Sequence, residues 1–134
     1  MNTTKYKRTT IRSFMEATST ARTMNSLIAD NLSEYKYEDL EGIELYLAVD
    51  NLSGFGVVTT TGELVNVFSL VKGRGPAMVK LAILMGAKCL DCFEGYLVNF
   101  YSEHGFITHK IEPNWTEGGP SVYYMRLTKE LYII

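Results

Sequence analysis

Glu63-Leu64-Val65-Asn66-Val67-Phe68-Ser69, followed by Lys72-Gly73-Arg74-Gly75-Pro76-Ala77, is the stretch that decides the fold. The first run mixes β-branched and aromatic residues behind Gly62 and reads as a strand. The second is a glycine-rich turn, and Pro76 suits the first position of a helix, where a missing N–H costs nothing. From Ala77 to Met85 only Lys80 is charged, so the helix expected there has almost no wettable face and should be buried. Lys88 to Phe93 follows at once as a second strand. Such a turn points unpaired N–H groups at one spot, and the dipole of the helix it opens favours an anion there. A phosphate-bearing ligand is the leading physical reading. The bland reading is a tight turn feeding a buried helix.

Upstream, Ile43 to Val49 and Phe55 to Thr60 read as strands, with turn residues Asn51 to Gly54 and Thr61-Gly62 between them and Glu63. Connections this short make the three strands antiparallel. The helix after the glycine-rich turn is the opposite case, long enough for a right-handed crossover between parallel strands. Tyr6 to Ile11 is a first strand. Ser13 followed by Glu16 makes a capping box, and Phe14, Ala17, Ala21, Met24 and Ile28 then recur at helical spacing, widened by Leu27, towards a break near Asn31 to Ser33. Glu34 to Glu41, acidic and tyrosine-rich, reads as a second short helix or a loop.

Downstream, Leu97, Phe100, Tyr101 and His104 share one helix face, and Gly105 ends that helix. Phe106 to Glu112 and Val122 to Thr128 are strands, paired as a hairpin through the polar loop Pro113 to Pro120. The expected order is β-α-α-β-β-β-α-β-α-β-β, a single α/β (α+β) domain over residues 1–134. Its sheet is mixed, mostly antiparallel and twisted, with helices against it.

Two fragments carry a resemblance. Lys72, Gly75 and Ala77 stand in the pattern Arg or Gln, two residues, Gly, one residue, Gly or Ala, with Lys72 in the first place. Phe100-Tyr101-Ser102-Glu103-His104-Gly105-Phe106 fits an aromatic-Tyr, three residues, Gly-Phe signature. With a helix and a strand between them, the two fragments make the chain resemble the GCN5-related N-acetyltransferase (GNAT) superfamily. The resemblance implies acetyl-coenzyme A as cofactor and a primary amine of a small molecule or protein as acceptor. It places the pantetheine chain along Val67, Phe68 and Ser69, where the strands at 63–70 and 88–93 splay apart. The diphosphate then lies over the amides of Gly73, Arg74, Gly75, Pro76, Ala77 and Met78, screened by Lys72 or Arg74. It makes Tyr101 the general acid that protonates the departing thiolate, and Tyr35 and Tyr37 acceptor-pocket residues. The structural alternatives are half-buried tyrosines, and for Tyr101 a packed ring whose hydroxyl bonds to backbone. Glu63, Glu94 and His104 are the available bases, unless a free amine loses its proton through water.

The overall numbers bound these readings. The chain has 134 residues, 46% of them hydrophobic, with nine Tyr, six Phe and one Trp, enough for one core. A formal charge of −2 argues against general affinity for nucleic acid, and no apolar run approaches membrane length, so a cytoplasmic protein is expected. Cys89 and Cys92 lie three apart in a strand, facing opposite sides, and read as buried structural thiols rather than a redox or metal pair. Asn114-Trp115-Thr116 matches a glycosylation triplet and is given no weight without a secretion signal. The apolar ending Leu131 to Ile134, with Val122 to Met125, suggests a homodimer or a tail packed over a sheet edge. Three function classes remain: an N-acetyltransferase, a non-catalytic protein that keeps this fold and its cofactor, and an unrelated nucleotide-binding protein. The last lacks a Walker lysine after the glycines and the Rossmann spacing.

Overall fold

A computed structural model describes residues 4–32 and 36–128. Tyr35, and the tail from Leu131 to Ile134 on which the dimer reading leaned, lie outside them. The chain divides into two compact units, Met1–Ala87 and Lys88–Ile134.

The first unit opens with β1 (Tyr6–Arg8) and α1 (Ile11–Met24). The capping box expected at Ser13 is one turn late. Thr10 is the cap, its hydroxyl accepting from the Ser13 amide at 3.1 Å. Phe14, Ala17, Thr18 and Ala21 form the buried stripe. The helix also ends earlier than its periodicity suggests. Asn25 is extended, at φ −150°, and its side chain accepts from the amides of Leu27 and Ile28, so one residue stops α1 and caps α2 (Ser26–Asn31). Within the acidic segment a single 3-10 turn forms, at Tyr37–Leu40.

Strands β2 (Ile43–Ala48), β3 (Ser53–Val58) and β4 (Leu64–Ser69) complete an antiparallel sheet in the order β1-β2-β3-β4. Phe14, Leu45, Leu47 and Phe68 share one core cluster, with the Phe14 ring edge-on to Phe68 at 6.0 Å. Burying each such side chain stabilises the unit by about 1.5–3 kcal/mol. Strand β3 carries Gly54 and Gly56 because β2 side chains lie directly over it. A Cβ on Gly54 would sit 2.5 Å from the Tyr46 carbonyl oxygen, and one on Gly56 would sit 2.8 Å from Ile43. Helix α3 (Gly75–Leu84) packs on β3 through Met78, Val79 and Ala82. It is not buried all round, as its composition suggests. Pro76, Ala77 and Lys80 are exposed and Leu84 is 77% exposed, because only one stripe of this ten-residue helix meets the sheet.

The second unit holds β5 (Cys89–Phe93), α4 (Tyr96–Ser102), β6 (Phe106–Glu112) and β7 (Val122–Leu127). Its sheet has the order β5-β7-β6, over a core of Leu90, Tyr101, Phe106, Val122 and Met125. The hairpin of β6 with β7 through a long loop is present. Among the described residues every pairing within each unit is antiparallel. β5 is taken up along its whole length by β7, from Cys89 opposite Arg126 to Phe93 opposite Val122. The order of elements agrees with the expected one, except that the first helix is split in two at Asn25 and the short helix or loop expected at 34–41 is a 3-10 turn. Among the described residues no helix is long and apolar enough to cross a membrane.

Candidate functional site

In the first unit the site residues are gathered where β4 runs into α3. β4 has β3 on one side only and is the last strand of its sheet. It is also bulged. Gly56 pairs with Val65 and Gly54 with Phe68, so Asn66 and Val67 together face the one residue between, Phe55. Asn66 adopts φ +53°, the left-handed region, inside this bulge. Phe68 points into the core, while Val67 and Ser69 stay half-buried. The Ser69 hydroxyl donates to the Val71 carbonyl at 2.6 Å and receives the Val71 amide at 3.0 Å, which fixes the exit from the strand.

The turn that follows exposes Lys72 and Gly73. Gly73 lies at φ +90° with no atom within 4 Å of the place a Cβ would occupy, so the backbone conformation itself calls for glycine. Arg74 is the residue before the helix, and no side chain caps it. Pro76 is the second helical residue rather than the first. The Met78 amide is the first to bond back, to the Arg74 carbonyl at 3.1 Å. The expected cradle of six residues therefore narrows, since Met78 has used its N–H and Pro76 has none. Gly75 and Ala77 supply the amides ahead of the first helical hydrogen bond.

Arg74 is engaged elsewhere. Its guanidinium donates to both carboxylate oxygens of Asp50, at 3.0 and 2.6 Å, and to the Ser53 hydroxyl at 3.0 Å. Ser53 is fully buried and shares a 2.8 Å hydrogen bond with the Tyr6 hydroxyl. The guanidinium, helped by the Leu52 amide, holds the Asp50 carboxyl down at about 2, and the carboxylate in turn raises Arg74. Its charge is thus matched within the unit, and Lys72 is the exposed cation of the turn. Tyr37, 54% exposed, lines a cleft of about 530 Å³ with Arg12, Met15, Glu16, Ser19 and Thr20. In the acidic segment Glu38, Asp39 and Glu41 are exposed, while Glu44 accepts from the Tyr46 hydroxyl at 3.0 Å and faces Arg8 at 3.8 Å.

In the second unit Tyr101 is 6% exposed, with its ring edge-on to Phe100 and Phe106. Burial first, then the neighbouring Cys92 and Tyr96, raises its pKa well above the ordinary phenol value. Burial and Asp91 push the half-buried Cys92 thiol up to about 11, which keeps it an unreactive neutral group. Among the described residues no group of metal-binding side chains forms.

His104 donates from Nδ1 to the Phe100 carbonyl at 2.9 Å, since a carbonyl only accepts, and its ring lies 4.8 Å from that of Phe100. That is a satisfied helix-end histidine. Glu94 accepts the Ser121 amide at 2.6 Å, and the Glu63 amide is held by Thr61. Trp115 is 79% exposed and leans on Phe93 at 6.0 Å. Two residues were missed from sequence. Asp50 lies between the strand ending at Val49 and the turn residues Asn51 to Gly54 and was given no role, and nothing local ties it to Arg74. Asn66 did carry a signal, as a polar residue of low strand propensity in a β-branched run.

No protein-family model matches the sequence, and no curated protein matches it. Solved structures do. The apo-form of YjaB from Escherichia coli aligns with a TM-score of 0.63 at 15% identity, over 96% of this chain and 100% of that one. A chain of the NatC complex bound to Gag peptide and CoA gives 0.62 at 19%, over 94% and 98%. An acetyltransferase of the GNAT family from Staphylococcus aureus Mu50 gives 0.53 at 14%, over 94% and 100%. These likenesses show that the chain has the fold of GNAT acetyltransferases, the fold that the two sequence fragments implied.

Proposed function

We propose that the protein is an N-acetyltransferase that moves an acetyl group from acetyl-coenzyme A to a primary amine of a small molecule or protein. The observation that carries this reading is the bulged edge strand β4, which runs through a left-handed glycine into a helix start with no side-chain cap. An edge strand offers unpaired backbone groups to an extended amide-bearing chain, and an uncapped helix start offers N–H groups to a diphosphate. The residues present fit coenzyme A on both counts, and one fold neighbour is a complex bound to CoA.

Coenzyme A supplies the acetyl group as a thioester. In this reading the backbone of Val67, Phe68 and Ser69 aligns the pantetheine arm. Gly75 and Ala77 bind the diphosphate with Lys72 screening it, and Asp50 keeps Arg74 and the helix start in place. Tyr101, whose burial keeps it protonated across the neutral range, donates its proton to sulfur as the carbon–sulfur bond breaks. The amine nitrogen forms the new amide bond and releases its own proton to water. Positioning and this one proton transfer are enough for acyl transfer from an activated thioester. Tyr37 and the cleft beside it are assigned to the acceptor. A homodimer through the late strands belongs to the same proposal. β6 is an edge strand with Ile107 and Ile111 about half exposed, and sedimentation at several concentrations tests it.

The test is calorimetric titration with coenzyme A, followed by an acceptor screen with acetyl-coenzyme A that detects released thiol. Binding with thiol release on amine addition supports the enzyme. Tight binding with no turnover across a broad amine and protein panel would make the protein a non-catalytic coenzyme A binder. No binding at high cofactor concentration would sink both.

A further inference from the structure

Asn66 carries two features that its place in the bulge does not jointly explain. Its backbone sits at φ +53°, and its side-chain oxygen Oδ1 is buried with no hydrogen-bond partner among the described residues. The bulge accounts for the first, because one of its two residues must leave the extended region. A glycine would meet that need with less strain. It does not account for the second, since a buried acceptor left unpaired is destabilising and uncommon in folded proteins. An orphaned polar atom between the apolar neighbours Val65 and Val67 points to a ligand that completes the hydrogen bond.

The chemistry of that ligand follows from the acceptor. A carboxamide oxygen takes an N–H or O–H donor. It is neutral, and its strand neighbours Val65 and Val67 are apolar. A protonated amine buried there would keep an uncompensated charge, whereas a neutral amide N–H would leave none. Asn66 immediately precedes Val67, Phe68 and Ser69, the edge segment assigned to the pantetheine arm, and that arm carries amide N–H groups.

We propose that Oδ1 of Asn66 accepts a hydrogen bond from an amide N–H of the pantetheine arm, which makes Asn66 a cofactor-binding residue. The inference rests on the coenzyme A reading above and adds a side chain to what is otherwise a backbone contact. It also gives β4 a means of distinguishing an amide-bearing arm from the nucleotide alone.

The experiment compares wild type and Asn66→Gly by calorimetry, using coenzyme A and adenosine 3′-phosphate 5′-diphosphate, which lacks the pantetheine arm. Glycine accepts the left-handed backbone, so the variant keeps the bulge while losing Oδ1. The expected result is a dissociation constant for coenzyme A raised about five- to tenfold, the scale of one hydrogen bond, with the nucleotide unchanged. Unchanged affinity for both probes overturns the inference and leaves the coenzyme A reading standing. Equal weakening of both also overturns it, since that reports a disturbed strand rather than a lost contact. A wild type that binds neither probe removes the coenzyme A reading itself, and this inference with it.

Discussion

The guanidinium of Arg74 is clasped by the carboxylate of Asp50 through two roughly parallel hydrogen bonds, 24 residues apart in the chain. This bidentate pair ties the start of α3 to the turn between β2 and β3, and it compensates the charge of Arg74. Geometry of this kind is the sort for which an exposed ion pair contributes measurably.

Asp50→Asn should therefore lower stability at pH 7, by about 1 kcal/mol once solvent screening of the half-exposed carboxylate is allowed for. Because the folded carboxyl lies at about 2, below its unfolded value near 3.8, the contribution is present above the unfolded value and lost as pH falls through about 2. Urea unfolding at pH 7 and at successively lower pH checks this. The gap between wild type and variant should close in acid, and a gap independent of pH would count against the ion pair as its source.

Tyr101→Phe should leave cofactor affinity intact and lower the maximal rate by about ten- to a thousand-fold. Stability should change little, because the variant removes one hydroxyl and keeps the ring packed against Phe100 and Phe106. The raised phenol pKa adds a pH signature. Below the unfolded value near 10 its stabilising contribution is complete, and above it that contribution is lost towards the folded value. Wild type should then lose more stability above pH 10 than the variant. Equal rates for the two proteins would make Tyr101 a packing residue only.

Lys72→Ala should raise the dissociation constant for coenzyme A by about two- to fivefold in low salt, an effect that fades as salt shortens the screening length. Titrations across a salt series measure it. A salt-independent loss would mean that Lys72 acts through something other than charge.

Gly54→Ala should destabilise the first unit by about 1–3 kcal/mol, since its Cβ would fall against the Tyr46 carbonyl and the Leu47 side chain. Thermal unfolding decides this, and an unchanged midpoint would show that β2 and β3 separate easily.

The legible parts of this chain are those whose cause is local. The strand at Leu64–Ser69, the turn through Gly73 and the stripe carrying Tyr101 were readable because periodicity and turn chemistry act over a few residues. Asn25 shows the limit. Met24 and Ile28 continue the apolar spacing across it, so the pattern runs straight through a residue that ends one helix and starts another. Asp50 lay hidden because its partner is set by tertiary folding alone. The narrowed cradle depends on which amide first closes the helix, a detail of one or two residues that sequence does not resolve.

The order β5-β7-β6 also bears on how the two units are made on the ribosome. The sheet of the first unit joins strands that are consecutive in the chain, so each can pair as soon as the next has emerged. In the second unit the middle strand is the last to be synthesised. Among the described residues β5 and β6 each pair with β7, and neither of these ladders can form until residues 122–127 have left the exit tunnel. The segment bearing Tyr101 thus spends its early life as exposed apolar chain beside a neighbour already able to form its own sheet, and a stop anywhere before Val122 would leave it that way.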